Sequence, residues 1–183
     1  MVAATKLTVL DRDPGCTGWL RPTPRLRVVK NADREVAETA LNVFVFAVAS
    51  ELPAVADFVR EANRRHQLRV LLVHADMDER WIAPMLARAE LRTLRNLLVH
   101  RGPEVPRRVV EAWLLGAQDD LIADAVVFGE TLLVLTCSLE PIEVRIDRVA
   151  PLRNLREDER SRFEIASDGS YLHWPSSDIH LDL

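Results

Sequence analysis

The sequence lacks several features that would have pointed to a particular class of protein. Among its 183 residues are only two cysteines, Cys16 and Cys137, which are too few for a disulfide framework and do not form a Cys-x-x-Cys pair. We therefore expect a reduced, cytoplasmic environment. No apolar run approaches the roughly 20 residues that a membrane-spanning helix needs, so we expect no membrane partner.

An excess of charge of one sign is also missing. The formal net charge is −4, and acidic and basic residues are interspersed along the chain. Because nucleic-acid-binding proteins cluster their cations on one face, nucleic acid is not an expected partner. Lysine is nearly absent, with only Lys6 and Lys30. The predominance of arginine reflects either a GC-rich genome or planar, bidentate contacts to carboxylates at an interface.

The most informative feature that is present is an internal echo. The sequence LRVLLVHAD at residues 68–76 recurs as LRNLLVHRG at residues 94–102. Each block is a continuous apolar run without polar alternation, as in strands that are buried on both faces of a parallel sheet. Each run ends in a histidine, His74 or His100. Both histidines are therefore expected at corresponding carboxyl ends of two strands.

The spacing of apolar residues predicts two different kinds of structure. Residues 42–118 alternate apolar runs with amphipathic helices, which predicts β-α-β-α-β-α order in a parallel three-layer unit. From residue 123, short alternating strands and turn residues such as Gly129-Glu130 predict an antiparallel α+β meander. The expected fold class is α/β, with N-terminal strands or an arm at 1–40, the parallel unit at 41–121 and the antiparallel domain at 122–183.

Local signals add finer expectations at two loops. Residues 13–18 (DPGCTG) read as a turn or loop, in which Cys16 could be exposed. With no histidine or basic cluster near it in the sequence, Cys16 is not expected to have a redox role. Ser50 follows an apolar run and precedes a helix with Pro53 in its first turn, so it is expected to be the helix N-cap.

The strand-end histidines are the first candidate site. Open α/β sheets bind ligands at the carboxyl ends of their strands. His74 and His100, joined by Asp76, Asp78 and Glu79, could bind a divalent metal or perform acid–base chemistry. Alternatively, each histidine ends its strand and hydrogen-bonds to a loop backbone. No glycine-rich loop follows either strand, so we expect neither a dinucleotide nor a P-loop site, and no cofactor.

Two further groups of residues each have a functional and a structural interpretation. Arg101, Arg107 and Arg108 lie around the start of the third helix, where they could hold an anion with the backbone amides or form a solvated face. His173 and His180, near acidic residues, could bind a metal. The alternative places His173 in a packing motif and His180 toward solvent.

The last third of the chain carries a series of motifs. These are an opening hairpin, EVRID at 143–147, FEI at 163–165, the Asp168-Gly169 turn, YLHWP at 171–175 and DIHLD at 178–182. With them, residues 124–183 resemble a small, uncharacterised bacterial family of α+β domains, many of which precede a Cro-type helix-turn-helix or accompany small toxin-like partners. The resemblance implies a regulatory or partner-binding module without catalytic residues. Residues 137–141 replace the family's early Asp-Gly turn, and no helix-turn-helix follows, so DNA binding is not expected.

Together these observations predict a non-enzymatic bacterial regulatory or adaptor protein that binds another protein or associates with itself. The candidate interaction residues are Tyr171, His173, Trp174, Arg101, Arg107 and Arg108. The alternative is an enzyme, or a sensor of a small ligand or metal, with a site at the carboxyl ends of the parallel strands. That site would use His74, His100 and Asp76.

Overall fold

A computed structural model of the protein describes residues 6–183, and the chain divides into two compact units. The first unit ends at Pro106 and the second is Arg107–Leu183. Helix α5, Glu104–Leu115, crosses this boundary. Within the described residues, no helix is both long enough and apolar enough to cross a bilayer.

The first unit is built on a five-stranded parallel sheet, which confirms the predicted α/β class. The strands are β1 Leu7–Arg12, β2 Leu26–Val29, β3 Val43–Val48, β4 Leu68–His74 and β5 Leu97–His100. The helices are α1 Pro14–Thr17, α2 Arg34–Thr39, α3 Leu52–Arg64 and α4 Ile82–Arg88. The strand order is β2-β1-β3-β4-β5, so the N-terminal strands extend the three-stranded sheet that the sequence predicted.

The core of this unit follows from the apolar runs. Phe44, Val45 and Phe46 in β3 are fully buried, because a central strand is covered on both faces. Helix α3 buries Val55 and Val59 among its inward residues, one turn apart on a single face. Strand order 2-1-3-4-5 is that of flavodoxin-like doubly wound sheets, in which the order reverses between β1 and β3.

Three local predictions were wrong at the carboxyl edge of this sheet. The expected loop at 13–18 contains α1, because the Asp13 side chain accepts a hydrogen bond from the Cys16 amide and caps the turn. Ser50 does not cap α3; it lies in a 3-10 turn, Ala49–Glu51, and its Oγ donates to Asp76 Oδ2 at 2.5 Å. The sequence after β4 predicts a helix that Asp76 or Asp78 caps and that runs to about Arg92; instead Asp78 caps a 3-10 turn, Glu79–Trp81, and the helix α4 ends at Arg88.

The second unit is antiparallel, as the sequence predicted, but its strands form two sheets rather than one meander. One sheet has the order β6-β7-β8, and the other has the order β11-β10-β9. Their strands are β6 Ile122–Phe128, β7 Thr131–Thr136, β8 Pro141–Arg145, β9 Glu164–Ile165, β10 Tyr171–Trp174 and β11 Ile179–Asp182, with short helices α6 Ala150–Arg153 and α7 Glu157–Arg160.

The core of the second unit explains the motifs of the last third. Trp174 is 1% exposed and its Nε1 donates to the Arg160 carbonyl at 3.0 Å. Gly169 has φ +80°, and its carbonyl accepts from the Ile122 amide at 2.8 Å. The Asp-Gly motif therefore joins the turn before β10 to β6, and Trp174 of the Trp-Pro motif is a core residue that bonds to the last residue of α7.

Candidate functional site

The switch in strand order creates a crevice at the carboxyl ends of β1, β3 and β4. Open α/β sheets bind their ligands at this position. The crevice has a volume of about 650 Å³, within the roughly 300–1,000 Å³ typical of small-molecule sites. It is lined by Asp11, Arg12, Asp13, Pro14, Gly15, Lys30, Val48, Glu51 and His74.

Asp11 anchors the loop that shapes this crevice. Its buried carboxylate accepts from Thr17 Oγ1 at 2.6 Å and from the Asp13 amide at 3.1 Å, and it pairs with the Lys30 ammonium. On the rim, Arg12 pairs with Glu51. Because the Asp11 carboxylate has a partner for each oxygen, its role is to hold the chain between β1 and α1 in place.

Asp13 is placed differently, because one of its oxygens is left over. The residue is 1% exposed, and its Oδ1 accepts from the Cys16 amide at 3.3 Å. His74 Nδ1 lies 3.3 Å from Oδ1 and 3.2 Å from Oδ2, but a single ring proton cannot point well at both. Among residues 6–183, Oδ2 has no hydrogen-bond partner. A buried acceptor without a partner costs about 1–3 kcal/mol, so this oxygen requires an explanation.

Cys16 completes the arrangement and overturns two expectations. It is buried rather than exposed, and a histidine does lie near it: its Sγ is 3.5 Å from His74 Nδ1. Desolvation and the neighbouring Asp13 carboxylate raise the pKa of the Cys16 thiol to about 12. The thiol is therefore protonated at neutral pH and is a poor nucleophile as it stands.

The two echoed histidines are direct neighbours with different environments. His74 pairs in register with His100, and their rings stack with centroids 5.5 Å apart. His100 is buried, and its Nδ1 lies 2.9 Å from the Gly102 carbonyl, so Nδ1 carries the proton. Burial lowers the pKa of His100, which keeps the ring neutral at pH 7. The backbone-bonded alternative thus describes His100, whereas His74 lines the crevice.

The carboxylates expected beside His74 have other partners. Asp76 accepts from the amide and hydroxyl of Ser50, Asp78 caps the turn before α4, and Glu79 pairs with Arg101 at 2.5 Å. The carboxylate that approaches His74 is Asp13, 61 positions away. Sequence reasoning missed it and Cys16. The sequence does show two acidic residues, Asp11 and Asp13, at the end of β1. Their proximity to His74 follows only from the pairing of β1 with β3, which the sequence does not show.

Two groups of side chains within residues 6–183 could hold a metal ion. In the crevice, donor atoms of Asp13, Cys16 and His74 lie within 4.8 Å of one another, and we call these three the donor triad. In the second unit, His173, Asp178 and His180 form a similar group, in which the two imidazoles stack across β10 and β11 at 4.3 Å. Asp178 is almost fully exposed, so that group lies open to water.

The remaining interaction candidates have partners within the second unit. Trp174, a predicted interaction residue, is buried, with only 1% of its surface exposed. Tyr171 packs against His180, with ring centroids 5.1 Å apart. Arg107 lies 3.5 Å from Glu111. Arg108 was expected at the helix surface but is buried, and its Nη2 donates to the Ala123 carbonyl at 2.8 Å. Its role there is to satisfy the backbone of β6.

The crevice can bind a metal ion or a polar ligand, because buried or half-buried donor atoms lie at its edge. The donor triad supplies one sulfur, one imidazole nitrogen and one carboxylate. Comparison of the chain with protein-family models, with curated proteins and with solved structures found no match. The geometry of the crevice is therefore the basis for a functional proposal.

Proposed function

We propose that the protein is a ligand-sensing regulatory protein whose first unit binds a small ligand in the crevice. The observation that carries this proposal is the Asp13 carboxylate, which is buried, lines the cavity and keeps one oxygen without a hydrogen-bond partner among residues 6–183. A folded protein rarely leaves such an acceptor unsatisfied. A ligand that presents a cation or a hydrogen-bond donor to Asp13 would satisfy it.

The rest of the lining supports a small ligand. Pro14, Gly15 and Val48 give the cavity an apolar wall, and two ion pairs stand on its rim. Because Arg12 and Lys30 are already paired with Glu51 and Asp11, the strongest unmet demand inside is for positive charge. The proposed ligand is therefore small and carries its polar or cationic group toward Asp13.

Native mass spectrometry of the intact protein, purified from the cells that make it, tests this function. We expect an additional bound mass on the wild-type protein and its loss in Val48→Trp, which fills the crevice. Leu41→Trp is the matched control, since Leu41 is 74% exposed and does not line the crevice. A wild-type protein without bound mass, which also shows no melting shift with Zn²⁺, Mg²⁺ or spermidine, contradicts the proposal.

Protein–protein interaction is a second candidate function, favoured by the surface of β6. Phe128 is 84% exposed and Val126 is 53% exposed, and both lie on one face of this edge strand. Apolar edge strands add readily to a strand of another chain. The partner we propose is a second copy of the protein, joined through β6. Self-association through β6 agrees with the partner-binding role that the resemblance of residues 124–183 implies.

Sedimentation velocity over a range of concentrations tests this second function. We expect a concentration-dependent dimer for the wild-type protein and a monomer for Val126→Lys, which places a charge in the strand. Leu41→Lys, in the first unit, should leave the dimer intact. A wild-type protein that stays monomeric at all concentrations, or a dimer that Val126→Lys does not weaken, contradicts it.

A further inference from the structure

We propose that the donor triad binds a Zn²⁺ ion, with Asp13, Cys16 and His74 as three ligands and a fourth position open to the crevice. This inference rests on the proposed function, because it names the ligand of the same crevice. The structure shows the three donor atoms already gathered around one point and largely shielded from water.

The two kinds of separation that involve His74 Nδ1 fit a tetrahedral zinc site, and all three donor atoms lie within 4.8 Å of one another. Zinc lies about 2.3 Å from a cysteine sulfur and about 2.0–2.2 Å from imidazole nitrogen and carboxylate oxygen, at tetrahedral angles. Those bond lengths place sulfur and nitrogen about 3.5 Å apart, and nitrogen and oxygen about 3.4 Å apart. The corresponding separations here are 3.5 Å for Cys16 Sγ to His74 Nδ1, and 3.2 and 3.3 Å for His74 Nδ1 to the Asp13 oxygens.

Hydrogen bonds alone cannot satisfy both neighbours of His74 Nδ1 at the same time. His74 Nδ1 faces both the Cys16 thiol and the Asp13 carboxylate, yet a single ring nitrogen is either a donor or an acceptor. If it donates to Asp13 it cannot accept from the thiol, whose proton then turns to the same carboxylate, and if it accepts from the thiol its lone pair opposes the carboxylate. A cation at the centre removes this conflict, because all three atoms then act as electron-pair donors.

The binding step balances with one proton. The Cys16 thiol releases its proton to solvent and its sulfur becomes the thiolate ligand. His74 coordinates through the lone pair of Nδ1, with its ring proton on Nε2. The charges of Zn²⁺, the thiolate and the carboxylate then sum to zero, which removes the cost of a buried carboxylate with an unused oxygen.

The donor set also selects the kind of metal. A sulfur, an imidazole nitrogen and one carboxylate suit zinc, whereas Mg²⁺ and Ca²⁺ prefer six or more oxygen ligands. Three protein ligands with an open position are the arrangement of reactive or exchangeable zinc sites. Asp13 and Cys16 stand at the two ends of the capped first turn of α1, and His74 ends β4, so the ligands are held by ordered backbone.

Zinc titration of the full-length, reduced, metal-free protein against a competing chromophoric chelator tests the inference. We expect one tight equivalent for the wild-type protein and an affinity lower by roughly 100-fold or more for Cys16→Ser, since loss of a direct ligand exceeds the 10–100-fold seen for supporting residues. His74→Gln should weaken binding similarly. The double variant His173→Gln/His180→Gln is the control, because it removes the exposed group in the second unit and should leave the tight equivalent unchanged.

Cobalt substitution reports directly on whether a thiolate is a ligand, already in the wild-type protein. The Co²⁺-loaded wild-type protein should show a thiolate-to-cobalt absorption band, which Cys137→Ser keeps and Cys16→Ser loses. Tight zinc binding that survives Cys16→Ser, or that disappears in the His173→Gln/His180→Gln variant, overturns the inference. If zinc does not bind while native mass spectrometry finds another mass that Val48→Trp removes, the zinc inference fails and the proposed function stands.

Discussion

Replacement of Gly169 by alanine should destabilise the second unit through two effects that the structure separates. Gly169 has φ +80°, and a Cβ there would lie 2.6 Å from the Ile122 carbonyl oxygen and 3.1 Å from the Ile122 amide nitrogen. The left-handed backbone alone costs a residue other than glycine about 1–2 kcal/mol. Moving β6 away also weakens the bond from the Ile122 amide to the Gly169 carbonyl, worth about 0.5–1.5 kcal/mol.

Gly116 is the matched control, because it also has positive φ, +76°, but a Cβ there would meet nothing within 4 Å. We expect Gly116→Ala to cost about 1–2 kcal/mol and Gly169→Ala about 3–4 kcal/mol, once the clash with backbone is added. In a unit of this size each kcal/mol lowers Tm by about 4–8 °C, which scanning calorimetry resolves. Equal losses for the two variants would refute the assigned contact between Gly169 and β6.

Three further predictions concern buried polar groups. Burial raises the pKa of Asp124, so the ionised carboxylate is disfavoured in the folded state and should destabilise the protein increasingly as pH rises through the folded pKa. Urea unfolding should therefore show Asp124→Asn to be more stable than wild type at pH 7, with a smaller difference at low pH. Trp174→Phe should cost about 1–3 kcal/mol in the same assay, since it leaves the Arg160 carbonyl without its donor. Burial raises the pKa of both Cys16 and Cys137 to about 12. A thiol reagent at pH 7.5 should therefore label both far more slowly than free cysteine until the protein unfolds. Rapid labelling of the native protein would contradict their burial.

The fold of the first unit was readable where packing imposes a simple pattern. A strand with both faces covered must be apolar throughout, which is why the apolar run that begins at Leu68 and ends at His74 predicted β4 to the residue. The echo placed both histidines at corresponding strand ends, and the structure pairs Leu71–His74 of β4 in register with Leu97–His100 of β5. In each case the signal is local to the chain and depends on no distant contact.

The site was less predictable, because its members come from distant parts of the chain. Asp13 and Cys16 reach His74 only because β1 lies beside β3, and a short strand followed by Pro14-Gly15 reads locally as a turn. Asp76, close to His74 in sequence, instead bonds to Ser50 across the ends of β3 and β4. Trp174 was an interaction candidate because it belongs to the motifs of the last third, and the structure buries its indole.

The zinc K-edge absorption spectrum of the full-length protein, loaded with slightly less than one equivalent of Zn²⁺, tests the central claim most directly. The proposed site predicts one sulfur at about 2.3 Å and nitrogen or oxygen ligands at about 2.0–2.2 Å, in fourfold coordination. The sulfur should be absent from the Cys16→Ser protein and present in Cys137→Ser. A wild-type spectrum that contains only nitrogen and oxygen ligands would contradict coordination by Cys16 and, with it, the donor triad as the zinc site.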